Sequence, residues 1–244
     1  MKILITNDDG CLALGLNMLA KQLSQVAEIT VVAPERNNSG VSNSITISRP
    51  LRIEKIKENF FSVNGTPSDC IHVALTSILK KKPDLVISGI NQGQNLGDDT
   101  LFSGTVAAAT QAYLFGISAI AFSQVDYNWN NIDSASRVAR DISIKQIEKK
   151  IENFLLNVNI PNLKYDKLKK IAITRLGRRS ESGAVVKSKD PFGREVFWLG
   201  QNGHPVDVDC DTDFFAVKKG WISITPLKID RTDALILESL KRIF

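Results

Sequence analysis

Short apolar runs alternating with segments of helical period dominate the first half of the chain. Lys2-Ile3-Leu4-Ile5-Thr6 predicts a buried strand, and Leu12, Leu16, Leu19 and Leu23 then recur along one helical face. Ile29-Thr30-Val31-Val32-Ala33 predicts a second strand, ended by Pro34. Gly65-Thr66-Pro67-Ser68-Asp69 marks a helix start, because Thr66 can cap it, Pro67 suits the first turn and Asp69 complements the helix dipole. Its apolar stripe is Ile71, Leu75, Ile78 and Leu79. Leu85 to Ser88 follows as a strand, residues 105–115 as a helix of small residues closed by Gly116, and residues 117–123 as another strand. Strands separated by helices of this length predict right-handed crossovers. The expected fold is α/β, a doubly wound, mostly parallel, Rossmann-like sheet.

The pattern is less regular elsewhere. Residues 45–63 alternate in polarity as extended segments, expected to leave the core as a β excursion, and residues 134–156 suit one long helix with charged faces. Residues 171–174 predict a further core strand. Residues 184–187 and 195–199 flank the turn signal Asp190-Pro191-Phe192-Gly193, which predicts a β-hairpin. A strand at 221–225 and a terminal helix at 233–243 complete the chain. The hairpin and tail are poor core material and are expected to form an oligomerisation arm. The organisation expected is a single domain over 1–244, with a core of about 1–130 plus 165–180 and the arm and tail at about 181–244.

Composition narrows the classes. A chain of 244 residues can bury a full core, and 43% hydrophobic with 23% charged residues is ordinary for a soluble globular protein. No stretch of eighteen apolar residues occurs and no leader precedes the first strand, so neither a membrane span nor export is expected, and the cytoplasm is favoured. Cys11, Cys70 and Cys210 are scattered, without a CxxC pair, and suit reduced structural thiols. The net charge of +5 is spread over short clusters such as Lys80-Lys81-Lys82, Lys149-Lys150, Lys169-Lys170 and Arg178-Arg179. These suit solvated surface better than a nucleic-acid groove, so no stable nucleic-acid partner is expected; a small anionic substrate is permitted.

The chemistry concentrates where the first strand ends. Asn7-Asp8-Asp9-Gly10 places two adjacent carboxylates at the carboxyl edge of the expected sheet, where open α/β folds bind ligands. Such carboxylates repel unless a cation lies between them, and their oxygens suit a hard divalent metal. Three further loops are expected at the same edge. Residues 34–40, continuing to Ser42, Asn43 and Ser44, are dense in short oxygen ligands and hydrogen-bond donors. Residues 88–99 carry Gly89, Gly93 and Gly97 with Asn91 and Asn95, which suits backbone approaching a ligand. Ser103-Gly104-Thr105 opens a helix and forms an anion site. Neither GxxxxGK[ST] nor GxGxxG is present, which disfavours a P-loop or dinucleotide fold. With only His72 and His204 in the chain, a phosphohistidine mechanism lacks its nucleophile, and no GxSxG elbow supports a serine hydrolase.

MKILITNDDG, APERNNSGVSNSIT, VNGTPSDC, SGINQGQNLGDD and FSGTVAAA, in this order, resemble the SurE family of metal-dependent 5'/3'-nucleotidases. The resemblance extends through GRRSE, DPFGREVFWLG, TDFFAV and SITPL to nearly the whole chain. It implies one divalent cation per subunit, magnesium or manganese, held by Asp8, Asp9, Ser39 and Asn91. It also implies hydrolysis of nucleoside monophosphates, with short polyphosphate as a substrate of some members, and dimers or tetramers that exchange C-terminal elements. Asp8 and Asp9 are then the expected catalytic residues. Asn7, Asn43, Gly89, Asn95, Ser103, Gly104 and Thr105 are expected to contact phosphate or substrate, Asn7 and Asn95 by orienting ligands. Direct attack by water and a phospho-aspartate intermediate both remain open. Cys11 stands where an aliphatic residue is usual, and Phe102 where tyrosine is usual. A non-catalytic nucleotide or metal sensor is the competing class, and the paired carboxylates favour the enzyme.

Overall fold

A computed structural model of the chain describes residues 1–149, 153–168 and 170–244. β1 (Lys2–Thr6) leads through the acidic turn into α1 (Leu14–Leu23) and β2 (Glu28–Pro34). β3 (Ile53–Lys57), β4 (Phe60–Val63) and α2 (Pro67–Val73) follow, α2 running on as a wider π-type turn, Ala74–Ile78. Next come β5 (Leu85–Gln92), α3 (Gly104–Leu114), β6 (Ala119–Gln124), α4 (Ile132–Glu148) and β7 (Leu155–Ile160). The remainder comprises β8 (Ile171–Ile173), β9 (Arg178–Arg179), β10 (Val186–Lys189), β11 (Glu195–Trp198) and β12 (Pro205–Asp207), then α5 (Asp213–Lys218), β13 (Ile222–Pro226) and α6 (Ala234–Lys241).

Among the described residues, nine strands form one sheet in the order β3-β4-β2-β1-β5-β6-β7-β13-β8. From β4 to β7 every neighbour is parallel, as the alternation of strand and helix predicts. β3 and β13 run antiparallel to β4 and β7, and β10–β11 form a separate hairpin. The chain winds from β1 to β2 and β4 on one side and then returns to β5 on the other. The winding direction therefore reverses between β1 and β5, and a crevice opens beyond their carboxyl ends. Both sheet faces are covered, which explains apolar runs without polar alternation. Ile3 and Ile5 pack with Leu16 and Leu19 of α1 and Val138 of α4, while Leu4 packs with Val32, Ile71 and Ala108 beneath α2 and α3. Gly15 sets how closely α1 seats on β5: a Cβ there would lie 2.1 Å from the carbonyl oxygen of Ile90.

Several expectations change. Leu12 is 86% exposed and precedes α1, because Gly10 and Cys11 turn the chain before the helix starts. Residues 45–63 do not leave the core entirely; β4 pairs in register with β2, Val31 opposite Phe60. The long helix ends at Glu148, and Leu155 and Leu156 belong instead to β7, a buried strand that extends the sheet. Residues 150–152 of that expected helix, and Lys169 of its cluster, lie outside the described residues. The expected core strand at 171–174 is an edge strand with Ile173 exposed. The tail is better core material than its pattern suggests, since β13 is buried between β7 and β8.

α5 is tied to the core by one carboxylate. Asp213 is fully buried and accepts the backbone N–H groups of Gly97 at 2.8 Å, Gly177 at 2.9 Å and Phe214 at 2.9 Å. Burial pushes its pKa up, and the three donors oppose that shift. Asp213→Ala would strand these donors, so urea unfolding should show a loss of about 2–4 kcal/mol. An unchanged midpoint would contradict this role.

Candidate active site

β1 ends directly in the acidic pair, so the strand fixes where both carboxylates start. Asp8 is only 3% exposed. Its Oδ1 accepts a short hydrogen bond from the Thr105 hydroxyl. Gly104 packs so closely that a Cβ would lie 2.7 Å from the Asp8 Cβ. The first turn of α3, expected to face a substrate phosphate, is thus turned toward Asp8. Burial raises the Asp8 pKa to about 7; the Thr105 hydroxyl opposes this and the charge of Asp9 adds to it. Burial also raises Asp9, whose Oδ2 accepts the backbone N–H of Gln92 at 3.3 Å. Asn7 donates to the Gly10 carbonyl at 3.0 Å and leaves its buried Oδ1 without a partner.

The loop after β2 is fastened to the pair through its backbone. The N–H of Asn38 donates to the Asp8 carbonyl at 2.7 Å, and the Ser42 hydroxyl donates to the Leu101 carbonyl at 2.7 Å. The Ser39 hydroxyl donates to Asn37 Oδ1 at 2.7 Å, which leaves the serine oxygen able to accept or ligate. At the end of β5, Asn91 Nδ2 donates to the Gly93 carbonyl at 2.9 Å, which leaves its Oδ1 as the open acceptor. Ser103 caps α3 by accepting the Val106 N–H at 3.1 Å.

A cavity of about 540 Å³ opens on these groups. Asp8, Ser39, Asn91, Asn95 and Ser103 line it. Gly104 and Thr105 are buried against Asp8, and Gly89 is buried against Phe122 of β6. Asn43 is exposed on the second loop and is not part of the lining. Asn95 has a structural engagement: its Nδ2 donates to Ser123 Oγ at 2.7 Å, and its carbonyl accepts from Asn157 at 2.8 Å and Asn159 at 3.0 Å.

The cavity also has lining beyond the expected metal and phosphate residues. Phe102, Tyr127, Val185 and Leu199 supply apolar lining, and Asp99, Arg179 and Asn202 supply polar lining. Arg179, expected as solvated charge, pairs with Asp99 through two bonds of 2.9 and 2.6 Å and donates to the Gly203 carbonyl at 2.9 Å. The complementary doublets Asp98-Asp99 and Arg178-Arg179 are the signal for it in the sequence.

A family model described as Survival protein SurE matches residues 3–183. The chain belongs to the SurE family. It is also similar to the crystal structure of the SurE protein from Aquifex aeolicus, with 40% identity, a TM-score of 0.88, and coverage of 100% of this chain and 99% of that one. All the site residues expected from the SurE resemblance fall inside the matched range.

The donors present fit a hard cation. Among the described residues no group of three or more His, Cys, Asp or Glu is placed to hold a metal ion, so a metal here would rest on two carboxylates completed by neutral oxygens. The orphaned Asn7 Oδ1 beside two desolvated carboxylates marks a place short of positive charge. The linkage of Asp8 gives a direct test. Its folded pKa of about 7 exceeds the unfolded value, so the folded state holds the extra proton between the two. In chelator, stability should therefore be highest below about pH 4 as far as Asp8 is concerned, and fall as pH rises through 7. Thermal unfolding should show that slope, with Asp8→Asn removing it. An identical slope in the variant would contradict the burial of this carboxylate.

Proposed function

We propose that this protein is a metal-dependent phosphomonoesterase that converts nucleoside 5'- and 3'-monophosphates to nucleoside and phosphate. Short-chain polyphosphate is a further proposed substrate. The observation that carries this reading is the pair of desolvated carboxylates, Asp8 and Asp9, at the winding reversal of the sheet, with Asp8 lining a cavity of about 540 Å³. Asp8, Asp9, Ser39 and Asn91 would hold one magnesium or manganese ion per subunit. Bound there, the cation supplies neutralisation of phosphoryl oxygens and acidification of a water, the two needs of a reaction whose acceleration can approach ~10²¹-fold.

The chain's own groups do the rest. Asp8 presents its carboxylate to the cavity, and so suits the acceptor of the attacking water's proton. Thr105 and Gly104 hold that carboxylate in one orientation. Ser103 at the cavity wall supplies a hydroxyl toward the phosphate, and Asn95 keeps the wall in register with β7 through its amide network. Phe102, Tyr127 and Leu199 give apolar surface for the nucleoside.

No helix among the described residues is long and apolar enough to cross a membrane. The protein is proposed to work in the cytoplasm as a homodimer or homotetramer. Phe197 and Trp198 of the hairpin and Leu235, Ile236 and Phe244 near α6 are exposed, an apolar set that a second copy would cover. Phosphate release from 5'-AMP and 3'-AMP should require manganese or magnesium and stop in chelator. Asp8→Asn or Asp9→Asn should lower kcat by at least about 100-fold without changing oligomeric mass. A metal-loaded, folded protein inert toward both nucleotides and polyphosphate would overturn the hydrolase and leave a binding module.

A further inference from the structure

The loop of residues 35–40 has a second face. Ser39 and Gly40 line the acidic cavity, whereas Glu35, Arg36 and Asn38 line a separate one of about 370 Å³. Arg49, Arg52, Asn64 and Thr66 complete its polar lining. Three guanidinium groups thus surround one concavity with a single carboxylate. Glu35 is shared, at 3.1 Å from Arg52 and 3.9 Å from Arg36. Arg49 finds only neutral acceptors, the carbonyls of Asn64 and Pro50. Asn64 holds the arrangement together: its backbone carbonyl takes Arg49, and its Oδ1 takes the Arg52 backbone N–H at 2.7 Å. The result is a solvent-facing cluster with an excess of two positive charges in a polar hollow. A planar guanidinium fork can donate two parallel hydrogen bonds to a pair of phosphate oxygens, and three guanidinium groups against one carboxylate leave positive charge for an anion to balance.

We propose that this hollow is a second anion site for phosphate-class ligands, with Arg36, Arg49 and Arg52 as the binding groups. It lies across one loop from the acidic pair, and the two are mechanically joined, since Asn38 lines the hollow and donates its N–H to the Asp8 carbonyl. Two sources share this chemistry: the remote phosphates of an oligophosphate whose end lies at Asp8, and a free phosphate anion.

Titration calorimetry with pyrophosphate in chelator tests the site without requiring catalysis. Under those conditions the acidic pair repels anions, so saturable binding reports the arginines. Wild-type protein should bind, and Arg49→Gln/Arg52→Gln should bind at least about tenfold more weakly while hydrolysing 5'-AMP within twofold of wild type. No saturable binding to wild type, or equal binding to both proteins, overturns the proposal. Kinetics separate the sources, and either result upholds the site. A rise in KM for tripolyphosphate but not AMP in the double variant assigns remote phosphates of the substrate; binding without that rise assigns a free anion. If neither protein hydrolyses anything, the function proposed above fails while the binding result still decides this site.

Discussion

Everything at the sheet edge depends on how Asp8 is held. A carboxylate that is almost fully buried, next to a second carboxylate, is an unfavourable arrangement for a folded protein to maintain. The chain supports it with donors instead of a fixed counter-ion: the Thr105 hydroxyl reaches Asp8, and the missing side chain of Gly104 lets α3 approach it. Helix, strand and second loop therefore meet on one residue. The remaining deficit of positive charge is what the proposed cation would offset.

The same economy of parts links the arm to the core. Asp213 gathers the N–H groups of Gly97 and Gly177, and Arg179 clasps Asp99 beside the same cavity. The segment after β5, the strand β9 and the start of α5 are thereby fixed to one another. Ser182, Gly183, Val185 and Leu199 of the hairpin region reach the cavity, so the arm helps shape the candidate site. Arg175, paired with Asp207, Asp209 and Asp211, strengthens the same junction, although its exposure limits what each pair contributes.

The doubly wound body was legible because its strands are buried on both faces and its helices carry strong end signals. The capping box of Thr66 and Asp69 forms with both of its reciprocal bonds. β7 escaped because Asn157 and Asn159 interrupt its apolar run, and only the structure shows that their amides pair with Asn95 across the sheet edge. β13 was expected as a strand at 221–225, but its place in the core was missed for a related reason: its Ser223 and Thr225 are polar in sequence but satisfied by Thr174 in the interior. In the site, the sequence order of acidic turn, second loop and glycine loop pointed to one edge. It could not show that Thr105 turns inward to Asp8, nor that Arg179 lies beside the cavity, since both depend on contacts between residues about eighty to a hundred positions apart.

The most direct test of the cation at this edge is anomalous diffraction from crystals grown with manganese. One strong peak should lie between the carboxylates of Asp8 and Asp9, at roughly 2.0–2.3 Å from their oxygens and within reach of Ser39 and Asn91. A protein that takes up manganese elsewhere, or shows no peak at the pair at saturating metal, would contradict the reading of Asp8 and Asp9 as a metal site.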